Sequence, residues 1–174
     1  MMSLEQHADR PFQKQFSLDL KRYALANQMD YLLYRAEQEL EIRKIDPVGI
    51  QDGGLDEDFY LFTRLFYQKG YLTTGEFNLC ERLYTSLREV LPPPDLIILL
   101  TAPLNVIAER YTQRDRVLEI AELQDLSALE NLLEEWIGRL ITSPLIIIDA
   151  GKDGPDYSKS IQSNKDKIRQ LFEA

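Results

Sequence analysis

The chain has 174 residues, 44% of them apolar, and sets 20 Lys plus Arg against 29 Asp plus Glu for a net charge of −9. That length suits a single domain with a sizeable core, read here as residues 1–174, and the acidic balance repels nucleic acid and anionic membrane, so any phosphate site must be a local basic cluster. Cys80 as the one cysteine excludes an internal disulfide, and His7 as the one histidine excludes histidine-cluster metal sites and argues against a His-based triad.

From the N-terminus, Met1 to Arg10 carries no hydrophobic signal core. The longest apolar run, Leu96 to Ala102, is strand-sized, so no membrane partner is expected and a cytoplasmic location is the default. Leu20 to Ile42 interleaves Tyr23, Leu25, Tyr31, Leu32, Tyr34 and Leu40 with charges and predicts one long amphipathic helix. On it, Gln28 and Arg35 are seven apart and share a face with Tyr31, with Asn27 and Asp30 nearby. Such a face can read the edge of a planar base; it can equally be the margin of an amphipathic stripe.

Val48 to Gln51 is the first of three short apolar runs, followed by Leu96 to Thr101 and Leu145 to Asp149. Their unbroken apolarity predicts strands buried on both faces, as in a parallel sheet. After the first run comes Asp52-Gly53-Gly54-Leu55-Asp56-Glu57-Asp58. It reads as a tight turn with an acidic first helical turn, or as carboxylates gathered for a divalent cation. Asp56 to Tyr67 and Thr74 to Val90 predict two helices, the second capped by Thr74 with Glu76 in its first turn. Cys80 falls in its periodic apolar stretch and reads as a small core residue.

Pro92-Pro93-Pro94 stiffens the approach to the second strand, and Asn105 to Gln113 predicts the next helix. At its end, Arg110, Arg114 and Arg116 fall within seven residues, flanked by Glu109, Asp115 and Glu119. Arg110 and Arg114 are four apart and can converge on one anion; the alternative is a solvated face neutralised by its own carboxylates. Leu126 to Leu140 and Asp156 to Phe172 complete the predicted helices. Strands alternating with helices predict an α/β fold, a three-layer α/β/α sandwich with ligands at the carboxyl ends of the strands. Asp52-Gly53-Gly54, Thr101-Ala102-Pro103 and Asp149-Ala150-Gly151 then share one rim.

Taken in order, these segments resemble the deoxynucleoside kinases, the deoxycytidine, deoxyguanosine and deoxyadenosine kinase group, from about Glu5 to the C-terminus. Arg10-Pro-Phe-(x)3-Phe-(x)2-Asp-(x)2-Arg-Tyr-Ala-Leu is similar to that family's Asn-Pro-Phe segment, followed at the family's spacing by Gln28 and Arg35. Pro94 to Leu100 resembles its fourth strand, Arg110-(x)3-Arg114-x-Arg116-(x)2-Glu119 its lid, and Leu145 to Asp149 its last strand. The resemblance implies that Gln28 hydrogen-bonds a nucleobase, that Arg35 and Asp58 line the same pocket as an ion pair, and that Glu119 contacts the sugar hydroxyl. It implies further that Arg110, Arg114 and Arg116 stabilise the transferring phosphoryl group, and that Glu5 stands where the family has its general base for the 5′-hydroxyl.

The departures are as informative. The family's Gly-x-x-Gly-x-Gly-Lys-Ser/Thr phosphate loop, which follows the central first strand of its P-loop kinase-like sheet, does not occur in these 174 residues. The family's Asp-Arg-Ser is Asp52-Gly53-Gly54, its sugar-contacting tyrosine is Ser17, and the glycine between its lid arginines is Asp115. The expectation is a deoxynucleoside-binding homologue whose catalysis is lost or crippled, needing no cofactor as written. The alternatives are an active ATP-dependent deoxynucleoside kinase cut short, with ATP and Mg²⁺ as cofactors once the loop is restored, and an assembly subunit that reuses the fold. Without the central strand, the Val48–Gln51 and Leu96–Thr101 strands are expected to pair directly or be covered by another chain, and the family's habit implies a homodimer through helices.

Overall fold

Asp19 opens the longest element of the chain. Its carboxylate accepts from the Arg22 amide at 3.1 Å and caps helix α2, Leu20–Arg43. The computed structural model describes residues 2–3, 10–44, 48–113, 121–140, 143–152, 161, 164–166 and 168–170. Around α2, in chain order, stand β1 (Met2–Ser3), α1 (Gln13–Leu18), β2 (Ile50–Gln51), α3 (Leu55–Glu57), a π-helical turn (Asp58–Thr63), α4 (Arg64–Gln68) and α5 (Thr74–Val90). They are followed by β3 (Ile97–Thr101), α6 (Leu104–Gln113), a 3-10 turn (Leu123–Asp125), α7 (Leu126–Gly138) and β4 (Leu145–Asp149). The helix expected over Asp156 to Phe172 lies largely outside the described residues.

Three differences from the sequence expectation have physical causes. The single helix expected over Asp56 to Tyr67 is three joined pieces with a π turn in the middle. The Asp58 carbonyl takes side-chain hydrogen bonds from Gln28 Nε2 at 3.1 Å and Thr63 Oγ1 at 3.0 Å, which accompany the wider turn. Helix α5 is capped by Thr73, not Thr74: Thr73 Oγ1 accepts from the Glu76 amide at 3.3 Å, and Glu76 Oε2 accepts from the Thr73 amide at 2.7 Å. The run Val48 to Gln51 contracts to the two residues of β2, where the backbone at Gly49 passes so close to Ile42 that a Cβ would meet Ile42 Cγ2 at 1.8 Å.

All strand pairing among the described residues is parallel. Met2 lies opposite Ile50 and Ser3 opposite Gln51, while β3 and β4 pair from Ile97 opposite Leu145 to Thr101 opposite Asp149. The expected pairing of β2 with β3 is not among the described ladders, in which β2 has β1 as its neighbour and β3 has β4. Nor are the apolar runs buried on both faces. Ile50, Ile98, Leu100 and Ile147 are exposed, so side chains that project from the faces of these two-stranded ladders are left partly uncovered.

The chain divides into two compact units, Met1–Pro93 with Val117–Arg139, and Pro94–Arg116 with Leu140–Ala174. The first holds two apolar clusters. One gathers Phe16, Ala24, Leu65, Phe66, Leu72 and Leu132, with the Phe16 ring edge-on to Phe66 at 5.0 Å. The other gathers Leu32, Ala36, Leu55, Phe59, Cys80 and Leu91. Cys80 is fully buried, and burial, followed by the charge of Glu76, pushes its thiol up to about 11, so it stays a neutral core residue at physiological pH. The second unit is built on the β3–β4 ladder and α6. Among the described residues no helix is long and apolar enough to cross a membrane.

Candidate functional site

The face of α2 turned inward carries polar side chains where a core helix normally carries only apolar ones. Gln28, Arg35 and Glu39 are buried along with Tyr31, Leu32 and Ala36. Buried polar groups are stable only when partnered, and the segment after β2 supplies partners for Gln28 and Arg35. Arg35 Nε donates to Asp58 Oδ2 at 2.8 Å, with the two side chains 3% and 8% exposed. Arg35 Nη1 also donates to the Asp52 carbonyl at 3.0 Å and to Gln38 Oε1 at 3.2 Å. One guanidinium thus joins α2, the end of β2 and the first residue of the π turn.

Gln28 completes the group. Its Nε2 donates to the Asp58 carbonyl at 3.1 Å, which fixes which way the amide faces. No further hydrogen bond of Gln28 is formed with the described residues, so its carbonyl oxygen and second N–H remain an adjacent acceptor and donor. Gln51 Nε2 donates to the Arg35 carbonyl at 3.2 Å and ties β2 to the same turn of α2.

Gly53 has φ +64, in the left-handed region that favours glycine. A Cβ at this position would lie 2.9 Å from Arg35 Nη2 and 3.2 Å from Glu57 Oε2. The turn is therefore shaped around the Arg35 guanidinium. The carboxylates of Asp52 to Asp58 are not gathered for a cation: Asp58 is held by Arg35, and Asp56 by Tyr84 and Arg88. Among the described residues no group of three or more His, Cys, Asp or Glu side chains could hold a metal ion.

The other expected site residues are placed as follows. Asp30 pairs with Arg10, whose guanidinium lies 4.2 Å from the centre of the Tyr34 ring. Asn27 is buried, with no hydrogen bond to its Oδ1 among the described residues. Ser17 donates to the Lys14 carbonyl at 2.8 Å and is spent on its own helix. In the second unit, Arg110 Nη2 donates to the Ala150 carbonyl at 2.8 Å, placing it beside the end of β4. Glu5, Arg114, Arg116 and Glu119 lie outside the described residues, as does Asp115. Gln38 and Glu39 were not among the expected residues; Glu39 is four beyond Arg35 on the same stripe, and that spacing is the signal that could have found it.

The family model for deoxynucleoside kinases matches residues 4–173. The deoxyadenosine/deoxycytidine kinase of Bacillus subtilis (strain 168) is 26% identical over 151 residues, covering 83% of this chain and 68% of the relative. The deoxyadenosine kinase of Dictyostelium discoideum is 28% identical over 134 residues, covering 76% of this chain and 54% of the relative. The chain thus spans between about half and two thirds of the length of these curated relatives. Among solved structures, deoxyadenosine kinase from M. mycoides with bound dATP superposes with a TM-score of 0.82 at 22% identity, over 97% of this chain and 86% of the other. The same enzyme with the products dCMP and a flexible dCDP gives 0.80 at 21% identity, with the same coverage. The helix-rich α/β architecture with its parallel strand pairing is the fold of these kinases, and the chain belongs to the deoxynucleoside kinase family.

Proposed function

We propose that this chain binds a deoxynucleoside at the Gln28–Arg35–Asp58 group and that the 174 residues do not themselves carry out phosphoryl transfer. The observation that carries the first half is the fixed Gln28 amide, an acceptor beside a donor, backed by the buried Arg35–Asp58 pair. That edge complements a base presenting an amino group next to a ring nitrogen, as adenine and cytosine do. Glu119, which the family resemblance aligns with a sugar contact, is proposed for the sugar hydroxyl. Glu5 is proposed as the base for the 5′-hydroxyl, and Arg110, Arg114 and Arg116 as the anion-facing cations.

The second half rests on what phosphoryl transfer requires. Its power comes from positioning and electrostatic stabilisation, and one transition-state arginine can be worth about 10³–10⁵ in rate. The family's ATP-dependent chemistry uses a phosphate cradle these residues do not contain, and two of the carboxylates after Gly53, Asp56 and Asp58, are already held by Arg88 and Arg35. The second reading, an active ATP-dependent deoxynucleoside kinase of which this is a part, is favoured by the 54–68% coverage of the curated relatives. Transfer of labelled phosphate from ATP to deoxyadenosine or deoxycytidine decides between them. The first reading expects none with these 174 residues, and turnover of roughly 1–100 per second establishes the second.

A cytoplasmic homodimer is part of the proposal. Leu33 and Leu40, seven apart on one face of α2, are both exposed, as an inter-helix contact requires. Sedimentation at micromolar protein is expected to give twice the monomer mass of 20.3 kDa; a monomer at that concentration contradicts it.

A further inference from the structure

One turn away from the base-facing group lies a second, partly buried charge cluster, built by a different helix. Tyr84 and Arg88 are four apart on α5 and face the same way. The Tyr84 hydroxyl donates to Asp56 Oδ1 at 2.7 Å, and Arg88 Nε donates to the same oxygen at 2.8 Å. Arg88 Nη1 reaches across to Glu39 Oε1 at 3.0 Å, and Glu39 is also held by Arg43 at 2.6 Å. These side chains are well covered: Arg88 is 15% exposed, Asp56 16% and Glu39 10%.

The positions gripped are telling. Asp56 stands two residues before Asp58 and three after Gly53. Glu39 stands one turn beyond Arg35 on α2. The Tyr84 ring lies flat on Phe59, the neighbour of Asp58, with centroids 4.2 Å apart and planes 7° from parallel. The cluster therefore holds both backbones that supply the Arg35–Asp58 pair, each about one turn from the charged group. A buried ionic network is a poor way to gain stability, since apolar side chains of the same volume do as well or better, but it fixes one geometry. The Tyr84 hydroxyl remains a donor throughout, because burial and then the Asp56 charge raise its pKa above the ordinary tyrosine value. Burial works against the charge on Arg88, but Asp56 and Glu39 outweigh it.

We propose that Tyr84 and Arg88 are positioning residues: by holding Asp56 and Glu39 they set the spacing between α2 and the Asp52–Asp58 segment, and so the geometry in which Gln28 and the Arg35–Asp58 pair meet a deoxynucleoside. The ligand half of this statement rests on the pocket reading above.

Tyr84→Phe is the discriminating variant, because it keeps the ring and its stack on Phe59 and removes only the hydroxyl. Calorimetric titration with deoxyadenosine and with deoxycytidine is run on the wild type, on Tyr84→Phe and on Arg88→Lys, alongside amide hydrogen exchange. In Tyr84→Phe we expect affinity to fall about fivefold to thirtyfold and exchange over residues 52–58 to rise by a similar factor, with the amides of α5 and α7 unchanged. Arg88→Lys keeps the charge but not the fork that spans Asp56 and Glu39, and is expected to show the same localised pattern. Unchanged exchange over residues 52–58, or an equal rise at all amides, overturns the proposal and leaves the cluster a purely structural one. A wild type that binds neither nucleoside sinks the pocket reading instead, while the exchange pattern still decides whether Tyr84 and Arg88 position the segment.

Discussion

Asp58→Ala is expected to lower unfolding free energy by about 3–5 kcal/mol, the cost of breaking a buried ion pair and leaving one charge uncompensated. Arg35 is 3% exposed, so the loss of Asp58 leaves a desolvated guanidinium without its carboxylate, hydrogen-bonded still to the Asp52 carbonyl and Gln38. Asp58→Asn keeps an acceptor for Arg35 and is expected to cost less. The double variant Arg35→Met with Asp58→Leu separates stability from recognition. It removes both charges together and should recover most of the stability lost in Asp58→Ala, because apolar replacements of a buried pair are often neutral. Binding of deoxynucleoside, in contrast, should be absent from the single and the double variant alike. Urea denaturation and calorimetric titration on the three proteins check both statements. A double variant that still binds at the wild-type affinity shows that the pair serves the fold only.

Gly53→Arg, which writes the family's arginine back into the Asp-Arg-Ser position, is expected to fail as a repair. At φ +64 a side chain costs about 1–2 kcal/mol in backbone strain alone. The space its Cβ needs is already bounded by Arg35 Nη2 at 2.9 Å and Glu57 Oε2 at 3.2 Å. Adding a second guanidinium beside the first brings like-charge repulsion, so the total penalty is about 2–5 kcal/mol. Gly53→Ala should fall between wild type and Gly53→Arg. Neither variant should gain phosphate transfer. Equal melting temperatures for Gly53→Arg and wild type would show that the turn relaxes freely and that Gly53 is a simple loss.

This alters what the substitution at position 53 means. Read from sequence, Gly53 stands where the family has an arginine. In the fold, it is the residue that lets Arg35 approach the Asp52 carbonyl, so the turn and the arginine on α2 are matched to each other. Installing the family's arginine there then has to displace a buried guanidinium that already hydrogen-bonds Asp58, Gln38 and the Asp52 carbonyl.

The sequence made α2 and α5 legible to within a residue: α5 has a 3.6-residue apolar period and a capping box, while α2 runs 24 residues without Gly or Pro, although its inward face carries Gln28, Arg35 and Glu39 and its Leu33 and Leu40 are exposed. The strands β3 and β4 were legible from their Ile and Leu runs. The π turn was not, because nothing in Asp58–Thr63 distinguishes it from an α-helical stretch; it comes with a tertiary bond from Gln28 and a local one from Thr63 to one carbonyl. Helix α1, at six residues, is too short to show a period. The role of apolar runs was misjudged for Ile98, Leu100 and Ile147, since β-branched and leucine-rich composition reports strand but not how many neighbours the strand has. Within the site, Gln28 and Arg35 were legible as a seven-residue spacing. Tyr84 and Arg88 were not, because they lie far along the chain from Asp56 and Glu39 and only the packing of α5 on α2 brings them together.

The central claim is that the Gln28–Arg35–Asp58 group binds a deoxynucleoside without these residues transferring phosphate to it. Thermal unfolding of the 174-residue protein, with and without deoxyadenosine or deoxycytidine, tests it most directly, with ATP-dependent phosphate transfer followed in the same samples. Nucleoside at about a hundredfold excess over its Kd should stabilise the protein by about 2.7 kcal/mol, a rise of roughly 5–10 °C for a chain of this size, with no phosphorylated product. An unchanged melting temperature at millimolar nucleoside, or product formed at an ordinary kinase's rate, contradicts it.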